Sequence, residues 1–457
     1  MPFYNRICYR RKHRWRRGRA NPMDAPFAVF RMAFLSLRHF LIAAFCVFLF
    51  ASPERADAYG VLTHHQLVDQ SWKPFIVPFL LNRYPALTAE QLRRAHAYAY
   101  GGCAIQDVGY YPFGNSFFSD LAHYVRSGDF VQSLFRNAHS ANELAFAVGA
   151  LTHYIGDSIG HSRATNPAVA IAFPKLAARY GPSVNFAQGK YEHTQVEFAF
   201  DVNEITKHRL APSAYLHHIG LNVPRAQITA AFHETYGFEI GDILGLYRTA
   251  LRTYRFGART FLPAFAHAEA VLHGRSFPPD TPGPELALYE QRVAEISRDA
   301  GWDRLRRKPG IGTHLLAFVV LILPKIGPLK MLAIKGPTVE TEKWYIESVD
   351  EATATLGRLL GQPGGVAGGG MLADRDLDTG ARVAPGGYPL TDQTYAKLLG
   401  RMTKDPSKVI PAGLKEDILR YYSDPTAPIS TKRDKKRWAL VEKQLVILSG
   451  MATRGGD

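Results

Sequence analysis

From residue 59 to about residue 300 apolar positions recur at spacings of three and four, punctuated by Pro and Gly, with few alternating runs. This predicts a succession of helices and little sheet. The stretch from Glu143 to His161 is the clearest case. Leu144, Val148, Leu151, Ile155 and Ile159 share one helical face, and Phe146, Gly149 and Ala150 lie opposite, so this helix should be buried nearly all round. Ser140 and Asn142 offer caps for its start. Residues 315–333 are strongly apolar but interrupted by Pro324, Lys325, Pro328 and Lys330, which argues against a clean membrane-spanning helix. They read as a core segment capping the preceding unit, with a hydrophobic hairpin or a segment dipping into a membrane surface as the alternative. Helical periodicity resumes over 343–361, and the Gly-rich run 361–370 reads as a flexible linker. Residues 371–457 form a polar, turn-rich and later helical region whose role the pattern does not reveal.

The apolar run Phe40 to Ala51 is short for a spanning helix. Preceded by Arg38 and followed by Ala56-Asp57-Ala58, it has the form of an export signal cleaved after Ala58. Its basic region is unusually long, and Met32 offers an alternative start. The expected organisation is a signal peptide over 1–58, a catalytic domain over 59–300, an apolar and helical extension over 301–361, a linker over 362–370 and a C-terminal region over 371–457. The product would be secreted or periplasmic, with membrane association as an option.

At 457 residues and 46% apolar composition the chain is long enough to bury a sizeable core. Residues 1–58 carry eleven Lys/Arg against three acids, so the remainder holds only +7 of the formal +15. That is too diffuse a charge to name a partner. Of Cys8, Cys46 and Cys103 only Cys103 outlasts cleavage, which excludes an internal disulfide and leaves a small buried apolar residue as its simplest reading.

The chemistry-bearing residues cluster early. His153, Asp157 and His161 are spaced by four, so they fan along one strip of a single helix. Imidazole and carboxylate on one strip are zinc ligands by type. His193 and Glu197 form a second such pair, Asp107 and His123 lie upstream, and His64 follows the cleavage site by only a few residues. Taken singly, each His is more often a hydrogen-bonded structural residue than a ligand. Four separate places supplying His and acid, one of them on a helix with apolar surroundings, favour a metal cluster that satisfies these groups together.

These residues, Tyr59-Gly60…Thr63-His64, Asp107…His123, His153-x3-Asp157-x3-His161 and His193-x3-Glu197, resemble the zinc-dependent phospholipase C family. That family extends to the amino-terminal domain of glycosylphosphatidylinositol-specific phospholipase D and, more distantly, to trinuclear-zinc nucleases. The resemblance implies an all-α, multi-helical phospholipase C/nuclease-like domain, here followed by additional C-terminal helices, with up to three zinc ions. One zinc would take His123, His153 and Asp157, with Asp107 as fourth ligand or general base. A second would take His161, His193 and Glu197. The third would take the free amine and carbonyl of Tyr59, His64 and the other oxygen of a bridging Asp157. Two departures stand out: Tyr59 replaces the family's usual Trp, and Asp157 and His161 are separated by three residues, as in the phospholipase D branch. His65 is a near competitor of His64.

The implied reaction is phosphodiester hydrolysis by a zinc-bound hydroxide, with phospholipid or a membrane surface as substrate. A single-strand nuclease is the alternative, since Tyr110, Tyr111, Phe113, Phe117 and Phe118 could stack bases, although they suit acyl chains or a core equally well. A non-catalytic zinc-binding scaffold is the reading from a different class. No obligate protein partner is implied.

Overall fold

In the computed structural model the described residues are 60–280, 282–326, 330, 332–362, 365–366 and 370–455. The chain divides into two units, residues 1–45 and 46–457; the first lies wholly outside the described residues, and every described element belongs to the second. The expected signal peptide and the expected ligand Tyr59 also lie outside the described residues.

Helices dominate, as the periodicity predicts, and the only strands among the described residues are Ile410–Pro411 and Thr453–Arg454, which pair in parallel. The helices that position the site are α1 (Val61–Ser71), α2 (Ala89–Gly102), α3 (Ser116–Tyr124), α4 (Ala141–Gly160) and α5 (Lys190–Thr206). Around them lie α6 (Leu262–His273), α7 (Ile311–Ile322), α8 (Val339–Gly361) and α9 (Pro389–Met402). The fold class is the all-α one expected.

Helix α4 starts where the sequence places a cap. Ser140 Oγ accepts from the Glu143 N–H, and the Glu143 carboxylate accepts from the His139 N–H in return. From Leu144 to Asp157 every residue is buried. α4 packs most extensively on α2, at backbone contact. A methyl group on Gly149 would sit 2.1 Å from the Ala99 carbonyl oxygen, and one on Gly102 would sit 2.1 Å from that of Phe146. Two glycines therefore permit an approach that any larger residue would forbid, and it carries the end of α2 to within reach of His153.

The C-terminal portion is integral to this unit. Tyr345 on α8 bonds through its hydroxyl to Thr63 and to Gln66 of α1. The segment before α9 lies on α3 and α4: Leu377 N–H donates to the His123 carbonyl, and the Tyr124 hydroxyl donates to Asp378. Hydrogen bonds therefore join the parts on either side of residues 300 and 371. Within the expected linker, Val366 is buried and the Gly370 carbonyl accepts from Gln132, while residues 363–364 and 367–369 fall outside the described residues. Composition alone hid these contacts, because glycine makes them through its backbone.

Segment 315–333 matches neither of its two sequence readings in full. α7 buries Ala317, Val319 and Val320 while its opposite face is exposed. No helix among the described residues is long and apolar enough to cross a membrane.

Candidate metal centre

His153, Asp157 and His161 project from the last two turns of α4 and its junction with a π-helical turn, residues 161–165. His64 comes from α1, Asp107 from the 3-10 turn after α2, His123 from α3, and His193 and Glu197 from α5. All eight side chains are buried. Their donor atoms converge in three sets, each within 4.8 Å: His64, His153 and Asp157; Asp107, His123 and His153; His161, His193 and Glu197.

Asp157 stands between the first two sets. Its Oδ1 lies 3.2 Å from His64 Nε2, while Oδ2 lies 3.0 Å from His153 Nε2 and 3.4 Å from His123 Nε2. Each carboxylate oxygen thus faces a different group of imidazoles. Asp107 Oδ1 lies 3.3 Å from His123 Nε2. In the third set His193 Nδ1 is 2.6 Å and His161 Nε2 is 3.7 Å from Glu197 Oε1.

The imidazoles are held from behind. His153 Nδ1 lies 3.0 Å from the Cys103 carbonyl, His123 Nδ1 2.8 Å from that of Ser119, and His161 Nδ1 2.6 Å from that of Leu377. His193 Nε2 lies 2.8 Å from Asn166 Oδ1, and the Asn166 amide in turn donates to the Asp378 carbonyl. A carbonyl oxygen can only accept, so each of these rings donates its outer N–H and turns its other nitrogen inward. That is the arrangement of a metal-ligating histidine.

Sequence reasoning named none of these orienting groups. Three are backbone carbonyls, invisible to spacing arguments. Asn166 carries no motif. The alternating acids Asp374, Asp376 and Asp378 were a signal that could have drawn attention to the segment that delivers Leu377.

The buried acids and imidazoles set one another's charge. Burial disfavours a charged His123 and a charged His153, yet the neighbouring acids, chiefly Asp107 and Asp157, outweigh it and hold both imidazoles above their ordinary pKa. Burial alone would raise Asp157, but His153, His123 and His64 together hold it well below the usual carboxylate range. At the other two imidazoles burial outweighs the pull of Asp157: His64 is lowered, with His153 adding to the effect, and His161 is pushed down to about 4. Both oxygens of Asp107 and of Asp157, together with His161 Nε2 and His193 Nδ1, are buried and make no hydrogen bond among the described residues. Such atoms are costly to bury unless a cation takes up their lone pairs. Nitrogen and carboxylate oxygen donors in groups of three suit zinc.

Compared with known families, residues 63–240 match the profile described as zinc dependent phospholipase C. All eight converging side chains lie inside that stretch. This part of the chain belongs to the zinc-dependent phospholipase C family. At family level it is a zinc phospholipase-type hydrolase, and the His, Asp and Glu groups above could hold metal ions. No curated protein and no solved structure gave a significant match to the chain.

The aromatics considered for stacking are mostly core. Tyr110, Tyr111, Phe117 and Phe118 are buried, and only Phe113 of the five is exposed. Phe118 stacks on Phe232 at 5.1 Å, and Tyr111 meets Tyr254 edge-on. In this phospholipase C domain they support the helices around His123 and offer no row of rings to bases.

Proposed function

We propose that the chain is an exported hydrolase of phospholipid phosphodiesters that works with up to three zinc ions. The observation that carries this reading is the convergence of eight buried His, Asp and Glu side chains from five separate parts of the chain within a phospholipase C family domain.

His123 and His153 with Asp157 would hold one ion, His161, His193 and Glu197 a second, and His64 with the other Asp157 oxygen a third. Tyr59, through its freed amine and carbonyl, would complete that third site after cleavage at Ala58. Asp201 supports this arrangement by fixing the start of α1: its carboxylate accepts from the Leu62 and Thr63 N–H groups at 3.2 and 3.0 Å and from the Thr63 hydroxyl at 2.7 Å. When bound, zinc supplies the positive charge an anionic phosphodiester needs and lowers the pKa of water.

The protein's own groups then have separate tasks. Asp157 keeps two donor sets in fixed relation, because its two oxygens serve different sides. Asp107 is the group placed to take a proton from the attacking water, as it sits at the edge of the cluster against His123 alone at close range. The carbonyls of Cys103, Ser119 and Leu377 hold the rings so that neither binding nor turnover requires them to reorient.

Incubating the processed protein with phosphatidylcholine vesicles and, separately, with single-stranded DNA tests this reading. Release of phosphorylated headgroup that a chelator abolishes is the expected result. DNA cleavage without lipid cleavage would replace it with the nuclease reading, and bound zinc with neither activity would replace it with the scaffold reading.

A further inference from the structure

From Leu315 to Ile322 helix α7 is apolar on every side. Its buried face, Ala317, Val319 and Val320, packs against α6. The opposite stripe carries Ile311, Phe318 and Ile322, spaced so that they fall on one line of the helix, with Leu321 beside them. These side chains are 86%, 56%, 60% and 61% exposed in that order, and Ile326 just beyond the helix is 68% exposed. A helix that is hydrophobic all round but only half covered has a second apolar neighbour missing.

The charge around it says what kind of neighbour fits. From Arg304 to Lys335 the sequence holds seven Lys/Arg and no Asp or Glu. Arg306 and Lys335 are engaged by backbone carbonyls of His208 and Ala172, and Lys325 by that of Leu332. Arg304, Arg307 and Lys308 before α7, and Lys330 after it, are exposed. Cations therefore stand at both ends of an exposed apolar stripe, the pattern that inserts side chains among acyl chains while paired with anionic headgroups.

The patch is mechanically tied to the centre. α7 packs on α6, α6 packs on α5, and the Gln195 amide of α5 donates to the Lys330 carbonyl. Gln195 lies between His193 and Glu197.

We infer that α7 is an interfacial docking helix that seats the protein on an anionic phospholipid surface, with Ile311, Phe318, Leu321 and Ile322 entering the acyl region and Arg304, Arg307, Lys308 and Lys330 meeting the headgroups. The choice of a lipid occupant rests on the phospholipase reading of the centre. Docking and hydrolysis are nevertheless separate events and are measured separately.

Flotation of the metal-loaded protein on ice with vesicles of phosphatidylcholine, with and without phosphatidylglycerol, reads docking. Hydrolysis of the soluble diester bis(p-nitrophenyl) phosphate reads the centre. The wild type should float with the anionic vesicles and lose flotation in high salt. Phe318→Ser/Ile322→Ser should bind them at least about tenfold more weakly, and Arg307→Glu/Lys308→Glu should lose the preference for anionic vesicles. Both variants should keep soluble-diester hydrolysis and thermal stability, since the replaced side chains are exposed. Equal flotation of wild type and variants, no flotation at all, or a wild-type dimer that the Ser variant dissolves would overturn the inference. Flotation that depends on α7 in a protein with no lipid hydrolysis would leave docking intact and sink the phospholipase reading alone.

Discussion

His64 and His65 are neighbours on α1, both buried, and they have opposite fates. The His64 ring stacks on His153 at 4.3 Å between centroids, and its Nε2 faces Asp157. His65 turns the other way and packs against Tyr100 at 4.8 Å. Its surroundings look, on paper, like a second metal site: Asp69 lies four residues on, and His96 Nε2 is 3.2 Å from Asp69 Oδ1. Yet Asp69 accepts from the Tyr100 hydroxyl at 2.6 Å, His96 stacks on Trp72 at 4.1 Å, and no third donor closes in. Among the described residues the three converging sets all lie on the His64 side. Burial, with His64 and His96 close by, pushes His65 down to about 3 and keeps it neutral. An imidazole and an acid four residues apart therefore make a metal site only when other helices bring further donors to meet them.

The sharpest way to break this comparison is to remove the acid on each side. Asp157→Ala takes a carboxylate from two of the proposed ion sites at once and should lower hydrolysis by at least about a thousandfold. Asp69→Ala should leave turnover near wild type and cost about 1–3 kcal/mol of stability by orphaning the Tyr100 hydroxyl. Steady-state kinetics beside thermal melts separate the two, and similar activity losses would erase the distinction. A finer cut is Asn166→Ala, which removes the group behind His193 together with its bond to the Asp378 carbonyl; about a 10- to 100-fold loss of activity or metal affinity is expected, whereas an unchanged value would show that His193 needs no orientation.

An effect on stability alone concerns an acid that no imidazole cluster claims. Glu269 is fully buried, and burial pushes its pKa up to about 7 from an ordinary 4.5, with Lys325 opposing and His273 Nε2 at 3.4 Å. The folded state holds this proton more tightly than the unfolded chain does. Its contribution to stability is therefore fully present below about pH 4.5 and lost as pH rises through about 7. Glu269→Gln should flatten that decline, by up to about 3 kcal/mol above pH 7. Denaturant melts across the range check it, and parallel curves for both proteins would count against it. Asp157, equally buried but facing three imidazoles, is shifted in the opposite direction.

Much of this was legible in the sequence because helices repeat locally. The strip of His153, Asp157 and His161, the pair His193 and Glu197, and the burial of α4 all follow from a 3.6-residue period. What periodicity cannot carry is how separate helices meet. That two glycines let α2 and α4 touch, that Leu377 and Asn166 orient ligands from well-separated parts of the chain, and that Tyr345 braces α1 depend on long-range packing. The half-exposed state of α7 was hidden for another reason: an apolar stretch reads alike whether its partner is protein or something else.

A metal centre is tested most directly by how much metal the processed, purified protein holds, counted by inductively coupled plasma mass spectrometry for the wild type, His65→Ala and Asp157→Ala. Stoichiometric zinc of more than one ion per chain in the first two, with a marked loss in the third, is the predicted result. A wild type without stoichiometric zinc after refolding or expression in its presence, or an Asp157→Ala protein that retains the full complement, would contradict the claim that these side chains form a metal centre.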